Sequence, residues 1–316
     1  MQIKQRDGKQ KSEEWESHRP LSLWKFIGQE HIKSIIQTAM QSAQKSQHCL
    51  GHILLSWPSG YGKTTLAHIT THMMWVNFMH ITAYAITKPA DIISLLQKLQ
   101  SNDILFIDEI HRIKSNLEEI LYIAMEDFRI DIIMPDGTNL DIPVNPFTLI
   151  GATTKPEQLS TPLKNRFVYS FHLSDYNLEE KQAILHYHLQ ATAITYDPSL
   201  LVLIANKIDT TPRNIKNFCI KIRDYMIAHN QKILNKSVRE ECSQWIDTDD
   251  WWLTQLHKKY LSLFHEKENL LWLKTIAAKL GVNEKTIEED IEPLLLKLWL
   301  IQRTPRWRSR ETQIIE

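Results

Sequence analysis

Ser56–Thr65 reads S-W-P-S-G-Y-G-K-T-T, and its flanks decide what it is. Ile53-Leu54-Leu55 ahead of it is an apolar run of strand length, and Thr65–Met74 behind it has a helical pattern. Strand, glycine-bearing turn and helix together predict a cradle for a phosphate chain, with Gly60, Gly62 and Thr65 in the binding turn. Backbone N–H groups and the helix N-terminus face the anion, Lys63 reaches the outer phosphates, and the Thr64 hydroxyl suits Mg²⁺. One position departs from the pattern G-x-x-x-x-G-K-[ST]: Trp57 stands where its first glycine belongs.

Outward from this loop, Asp103–Arg112 reads D-I-L-F-I-D-E-I-H-R. Ile104–Ile107 suits a strand buried on both faces of a parallel sheet. It ends in Asp108 and Glu109, at the carboxyl end where open α/β sheets place ligands. Asp108 can hold Mg²⁺ through water, and Glu109 can orient and deprotonate an attacking water. Acids ending a strand are common in isolation; coupled to the loop upstream they predict a nucleotide site. Phe147–Thr154, F-T-L-I-G-A-T-T, is a further buried strand ending in two hydroxyls. Arg166 follows in the loop T-P-L-K-N-R-F, where an arginine reaching a neighbouring subunit's nucleotide would stand.

The bulk numbers narrow the class. At 316 residues, 43% apolar and 23% charged, the chain has room for two or three globular domains. No apolar run is long enough to span a membrane, and the start does not resemble a signal peptide. Cys49, Cys219 and Cys242 form no C-x-x-C pair, so a reducing, cytoplasmic setting is expected. Net charge is zero, so nucleic acid must be met by a local patch. Composition holds one anomaly. Glycine usually supplies about 7% of residues, yet there are 8, beside 10 tryptophans.

Met1–His18 reads as a disordered leader. Helices are predicted at about Gln29–Lys45, Lys88–Gln100 and Asn116–Asp127, a strand at Phe78–Ala83, and a hairpin with a D-G turn over Asp131–Ile142. From Asn177 the pattern changes to helices, Leu178–Ala191, Pro198–Lys207 and Asn214–Asn230. The third begins at T-T-P-R, which puts Arg213 at a helix start where the dipole disfavours it. Beyond Asp247, helices are expected over Leu253–Phe264, Leu270–Leu280 and Asn283–Lys297, the last capped by Asn283. An apolar strand, Leu298–Arg303, and the basic tail R-T-P-R-W-R-S-R then suggest a winged helix reading mostly phosphates.

Six strings carry a resemblance: F-I-G-Q at Phe26–Gln29, D-I-L-F-I-D-E-I-H-R, A-M-E-D at Ala124–Asp127, P-F-T-L-I-G-A-T-T at Pro146–Thr154, T-P-R at Thr211–Arg213 and Q-R-T-P-R at Gln302–Arg306. From Arg19-Pro20 to about Arg308 the chain resembles the RuvB family of Holliday-junction branch-migration ATPases, hexameric AAA+ DNA motors. The expected fold is therefore α/β: a leader at 1–18, an AAA+ P-loop ATPase core at 19–172, a helical lid at 173–245 and a C-terminal winged-helix DNA-binding domain at 246–316. The resemblance implies ATP and Mg²⁺ as cofactors, with Lys63 and Thr64 on the phosphates, Thr64 and Asp108 on the metal, and Glu109 on the water. Thr154 would be sensor 1, Arg166 the finger and Arg213 sensor 2, with Arg19, Phe26, Ile27 and Tyr176 near the adenine. Arg303, Arg306 and Arg308 would meet DNA. The hairpin, shorter here and without a G-x-G tip, would meet a RuvA-like junction-binding protein. A junction resolvase and further copies in a hexameric ring are the other implied partners, and no membrane is.

Where that family has glycine, this chain has tryptophan at Trp57, Trp75, Trp245, Trp252, Trp272, Trp299 and Trp307. Glycine allows positive φ and close backbone approach, and tryptophan allows neither cheaply. The expectation is that these are glycine codons, UGA, translated as tryptophan. Adding seven to the 8 glycines present gives 15, nearer ordinary usage. If Trp57 is genuine, the alternative is an ATP-binding assembly module impaired in hydrolysis; a clamp-loader-like subunit is a third reading, disfavoured by the winged-helix ending.

Overall fold

Seven strands form before residue 173: β1 Ile53–Ser56, β2 Phe78–Thr82, β3 Ile104–Asp108, β4 Arg129–Ile133, β5 Asn139–Pro143, β6 Thr148–Thr153 and β7 Tyr169–His172. Five pair all-parallel in the order β2-β3-β6-β1-β7. Side chains of β1 and β6 are buried throughout, as are the first four of β3. That is why their sequences run apolar without alternation. β7, an edge strand with one buried residue among four, was not foreseen, because Y-S-F-H carries no continuous apolar signal. Helix Glu30–Ser46 leads into β1, and helices Lys63–Met74, Pro89–Leu96 and Ser115–Asp127 link successive strands.

The computed structural model describes residues 19–133, 139–207, 211–245, 253–264, 270–304 and 307–310. The expected leader and the D-G turn of the hairpin lie outside them. By its internal contacts the chain divides into two units, Met1–Ile184 with Thr211–Arg213, and Leu185–Thr210 with Asn214–Glu316. The T-P-R string thus belongs with the phosphate loop although its helix, Pro212–Ala228, continues into the second unit. Among the described residues no helix is long and apolar enough to cross a membrane.

The second unit contains Leu178–Ala191 from Leu185 onward, then Ser199–Lys207, most of Pro212–Ala228, and Lys236–Trp245. A two-residue parallel pair, Thr195–Tyr196 (β8) with Ile233–Leu234 (β9), ties loops between these helices where only helices were expected. At the C-terminal end, Leu270–Trp272 (β10), Ile301–Arg303 (β11) and Trp307–Arg310 (β12) make an antiparallel sheet in the order β10-β12-β11. Leu270–Trp272 was expected to begin a helix. It is a strand because it pairs with β12, Trp272 opposite Trp307, and the helix starts only at Leu273. Tyr260, Ile276, Ile287, Leu295 and Ile301 form the core beneath this sheet. Asn283 caps the following helix, its side chain accepting from the Thr286 N–H.

Two helix ends expose the tryptophan anomaly. Trp75 follows Lys63–Met74 with φ 59°, and Trp299 follows Glu292–Lys297 and Leu298 with φ 55°. Both sit in a Schellman motif. Trp75 N–H bonds to His72 O and Val76 N–H to Thr71 O; Trp299 N–H bonds to Leu296 O and Leu300 N–H to Leu295 O. That left-handed position ordinarily takes glycine. Phe128 is also left-handed, but its ring packs on the core, whereas Trp75 and Trp299 are 85% and 69% exposed and gain no burial to offset the strain. Trp75→Gly and Trp299→Gly should therefore each raise the unfolding free energy by about 1 kcal/mol, read by urea titration. Trp24→Gly, at a right-handed position, should give no such gain.

Candidate nucleotide site

β1 delivers the chain into the loop at residues 57–62, and the helix Lys63–Met74 begins where the loop ends. Gly60 and Gly62 have φ of 92° and 99°. A Cβ on Gly62 would lie 3.0 Å from the ring of Phe26, and one on Gly60 would lie 3.0 Å from Thr211 Oγ1. Only glycine fits both conditions, so the loop holds the tight turn that a phosphate cradle needs. Lys63 is buried, and its ammonium donates to the loop's own carbonyls, Trp57 O and, at 3.1 Å, Pro58 O. Burial pushes its pKa down, opposed by Glu109 and Asp108, with Arg213 pushing further down. The ammonium is thus held among acids and beside a second cation, as a phosphate-binding lysine is.

Two other strand ends face this loop's side of the sheet. β3 lies next to β6, and β6 next to β1, so parallel pairing alone brings Asp108, Thr153 and Ser56 to one edge. Glu109 follows β3 in a left-handed conformation, φ 52°. Its Oε2 accepts from the Thr154 hydroxyl at 2.9 Å and, at 3.4 Å, from the Thr154 N–H. Thr154, the sensor 1 candidate, therefore lies on the carboxylate. Arg213 Nη1 donates to Ser59 Oγ at 2.7 Å, and its N–H to Gly60 O at 3.3 Å, which brings the sensor 2 candidate onto the loop.

An aromatic group borders the loop. Phe26 and Tyr176 are both buried, and Tyr176 OH donates to Tyr61 O at 3.0 Å. Tyr61 and Tyr176 stack, with ring centroids 6.0 Å apart, and burial drives the Tyr176 phenol pKa well up. Ile27 and Arg19 are half-buried. Gln29, which was not singled out, clamps this region: its amide donates to Ser174 O at 2.7 Å and accepts from Ser174 N–H at 3.0 Å. Its signal was present in F-I-G-Q but had no assigned role. Trp57 fits poorly. Its ring packs edge-on against His172, and its indole N–H is buried without a partner.

Arg166 is not gathered into this group. It caps the short helix Thr161–Asn165 and makes an ion pair with Glu126 at the end of Ser115–Asp127. The hairpin forms as β4 and β5, with Ile130 opposite Ile142.

The basic wing requires a correction. Arg308 was expected on DNA, but it is 1% exposed. Its Nε donates to Glu292 Oε1 at 2.7 Å, Nη2 to Glu288 Oε1 at 3.0 Å and Nη1 to Thr304 O at 3.1 Å. Glu292 is fully buried and also accepts from Tyr260 OH at 3.0 Å. A guanidinium so enclosed holds the domain together and is buried away from any phosphate. Alternation along β12 explains it: Arg308 points inward and its neighbours outward. Arg303 is half-exposed, 3.5 Å from Glu292, and Arg306 lies outside the described residues.

Two family profiles match. "Holliday junction DNA helicase RuvB P-loop domain" covers residues 18–173, and "RuvB C-terminal winged helix domain" covers 250–313. The chain is 38% identical over 303 residues to the Holliday junction branch migration complex subunit RuvB of Anaplasma phagocytophilum, covering 94% of this chain and 92% of that one. It is 37% identical to the Lactobacillus johnsonii protein of the same name, covering 96% and 92%. Among solved structures it superposes on the Thermotoga maritima RuvB Holliday junction branch migration motor with a TM-score of 0.80 at 33% identity, covering 93% and 95%.

Removing one partner of the buried Arg308–Glu292 pair should be far costlier than trimming Arg303. Arg308→Ala should lose about 3–5 kcal/mol in the C-terminal domain, seen as lost amide-exchange protection over residues 270–310. Arg303→Ala should leave that protection intact and weaken duplex DNA binding.

Proposed function

The chain belongs to the RuvB family, and from that premise we propose that it is an ATP-dependent motor driving branch migration of Holliday junctions. The observation that carries this reading is the convergence of Lys63, Glu109, Thr154 and Arg213 on the edge of one parallel sheet. The donor set fits ATP and Mg²⁺: loop amides, a buried ammonium and a helix N-terminus for phosphate, with Thr64 and Asp108 for the metal. When bound, Mg²⁺ neutralises charge on the phosphates. Lys63 and Arg213 stabilise the charge that builds on the transferring phosphoryl group, and Glu109 takes the proton of the attacking water.

Arg166 is proposed to act on the neighbouring subunit's nucleotide in a hexameric ring. Its separation from its own phosphate loop supports that role, and so does its attachment to a different helix. The division into core (19–172), lid (173–245) and winged helix (246–316) is proposed as the path by which nucleotide state reaches DNA. Arg303 and Arg306 are the DNA-facing candidates there. The β4–β5 hairpin is proposed to meet a RuvA-like protein, and the assembled motor to work with a junction resolvase in the cytoplasm. The relatives that match give the impaired-module reading no support.

The trans role of Arg166 can be read by mixing subunits. Glu109→Gln alone should retain ATP binding and lose turnover, and Arg166→Ala alone should fall by about 10³-fold or more. Mixed together they should regain measurable ATPase activity, because the Glu109→Gln subunit lends its Arg166 to a neighbour with an intact Glu109. A mixture no more active than either variant alone would put the action of Arg166 in its own subunit and overturn the trans role.

A further inference from the structure

Glu109 is held by more than its expected partner. Directly after β3, a short 3₁₀ turn over Ile110–Arg112 folds His111 back against the end of β6. The His111 side chain is 3% exposed, and its Nδ1 lies 3.2 Å from Glu109 Oε2 and 2.9 Å from Thr153 Oγ1. Thr153 is fully buried and its hydroxyl oxygen also accepts the Lys155 N–H at 3.0 Å, which fixes the threonine. Burial pushes the His111 pKa down, opposed by Glu109 and Glu157 and assisted by Arg112 and Lys155, so the ring is a neutral imidazole near neutral pH. A neutral ring keeps its Nδ1 hydrogen bond with Thr153 Oγ1, and that bond holds the same nitrogen 3.2 Å from Glu109 Oε2, within polar contact of it.

His111 Nδ1, the Thr154 hydroxyl and the Thr154 N–H all converge on Oε2 of Glu109. Among the described residues Oε1 has no partner. Resting on the reading of Glu109 as the base, we propose that His111 is a positioning residue that clamps Glu109 through Oε2 and leaves Oε1 to receive the proton of the attacking water. The left-handed backbone at Glu109 is consistent with this: an unfavourable φ is retained where surrounding contacts fix a side chain for chemistry. His111 itself touches no reacting atom.

The test compares four variants of the full chain in ATP turnover with duplex DNA, reading kcat and KM separately beside the thermal midpoint. Asn places an amide near the position of Nδ1, and Gln places it one bond further out. His111→Ala should lose about 10- to 100-fold in kcat with KM for ATP within about twofold, His111→Asn should recover most of that loss, and His111→Gln should not. If Asn and Gln are equally impaired and their kcat follows the thermal midpoint, His111 is merely a core residue and the proposal fails. If Glu109→Gln abolishes turnover while His111→Ala keeps full kcat, the clamp is wrong and the base stands. If Glu109→Gln itself turns over normally, the base assignment falls, and the clamp with it. Should His111→Ala not fold, the Asn and Gln pair decides alone.

The tryptophans carry a second inference from independent observations. Two of them, Trp75 and Trp299, occupy left-handed Schellman positions with their rings in solvent. Trp57 opens the phosphate loop with an unpaired, buried indole N–H, which costs about 1–3 kcal/mol. Trp245, Trp272 and Trp307 are exposed as well, so none of the six lies in either core, against the usual behaviour of this residue. We infer that the native chain has glycine at 57, 75, 245, 252, 272, 299 and 307, from UGA codons that its source reads as glycine. Peptide masses of the protein isolated from its source, set beside the coding DNA, decide this. Glycine masses at these seven positions, with UGG codons and tryptophan at Trp15, Trp24 and Trp251, are expected. Tryptophan masses or UGG codons at 75 and 299 overturn it.

Discussion

Parallel pairing of β6 between β3 and β1 is the constraint on which the site depends. Because the three strands run the same way, their carboxyl ends lie on one edge, and whatever residue follows each strand is delivered there. The phosphate loop, the two acids and the two threonines are brought together by this alone, though they are separated by up to about a hundred residues of chain. Burial on both faces pins the register. Shifting β6 by one residue would flip its side chains to the opposite face and carry Thr154 away from Glu109.

How much of this was legible in the sequence varies by element. The buried strands were plain, because four consecutive apolar residues ending in D-E or in T-T admit few other structures. The helix bounded by Leu178 and Ala191 was found to the residue. The edge strand β7 and the strand β10 were not, since both exist through pairing with distant partners and carry little local signal. The same limit explains the site. Lys63, Asp108, Glu109, Thr154 and Arg213 stand out by motif as candidates, whereas the contacts of Gln29, Ser59 and His111 arise from the fold and are not encoded by spacing.

Arg308 shows the opposite error. Four arginines within a short tail look like a nucleic-acid surface, and net charge counts all four alike. Burial sets one of them apart: Arg308 turns inward to neutralise a carboxylate that is fully buried. A buried carboxylate without that guanidinium would have to be protonated or move to water. The wing's shape therefore depends on a charge that its surface potential never shows.

The pair between Arg166 and Glu126 has a thermodynamic consequence. An arginine engaged with its own subunit's carboxylate must leave it before it can reach a neighbour's phosphate. Under the proposed trans role of Arg166, ring assembly and nucleotide occupancy are linked equilibria, each strengthening the other by the same factor. On this view Glu126 sets a threshold: neighbouring subunits couple tightly when a nucleotide offers Arg166 a better anion, and loosen when it does not.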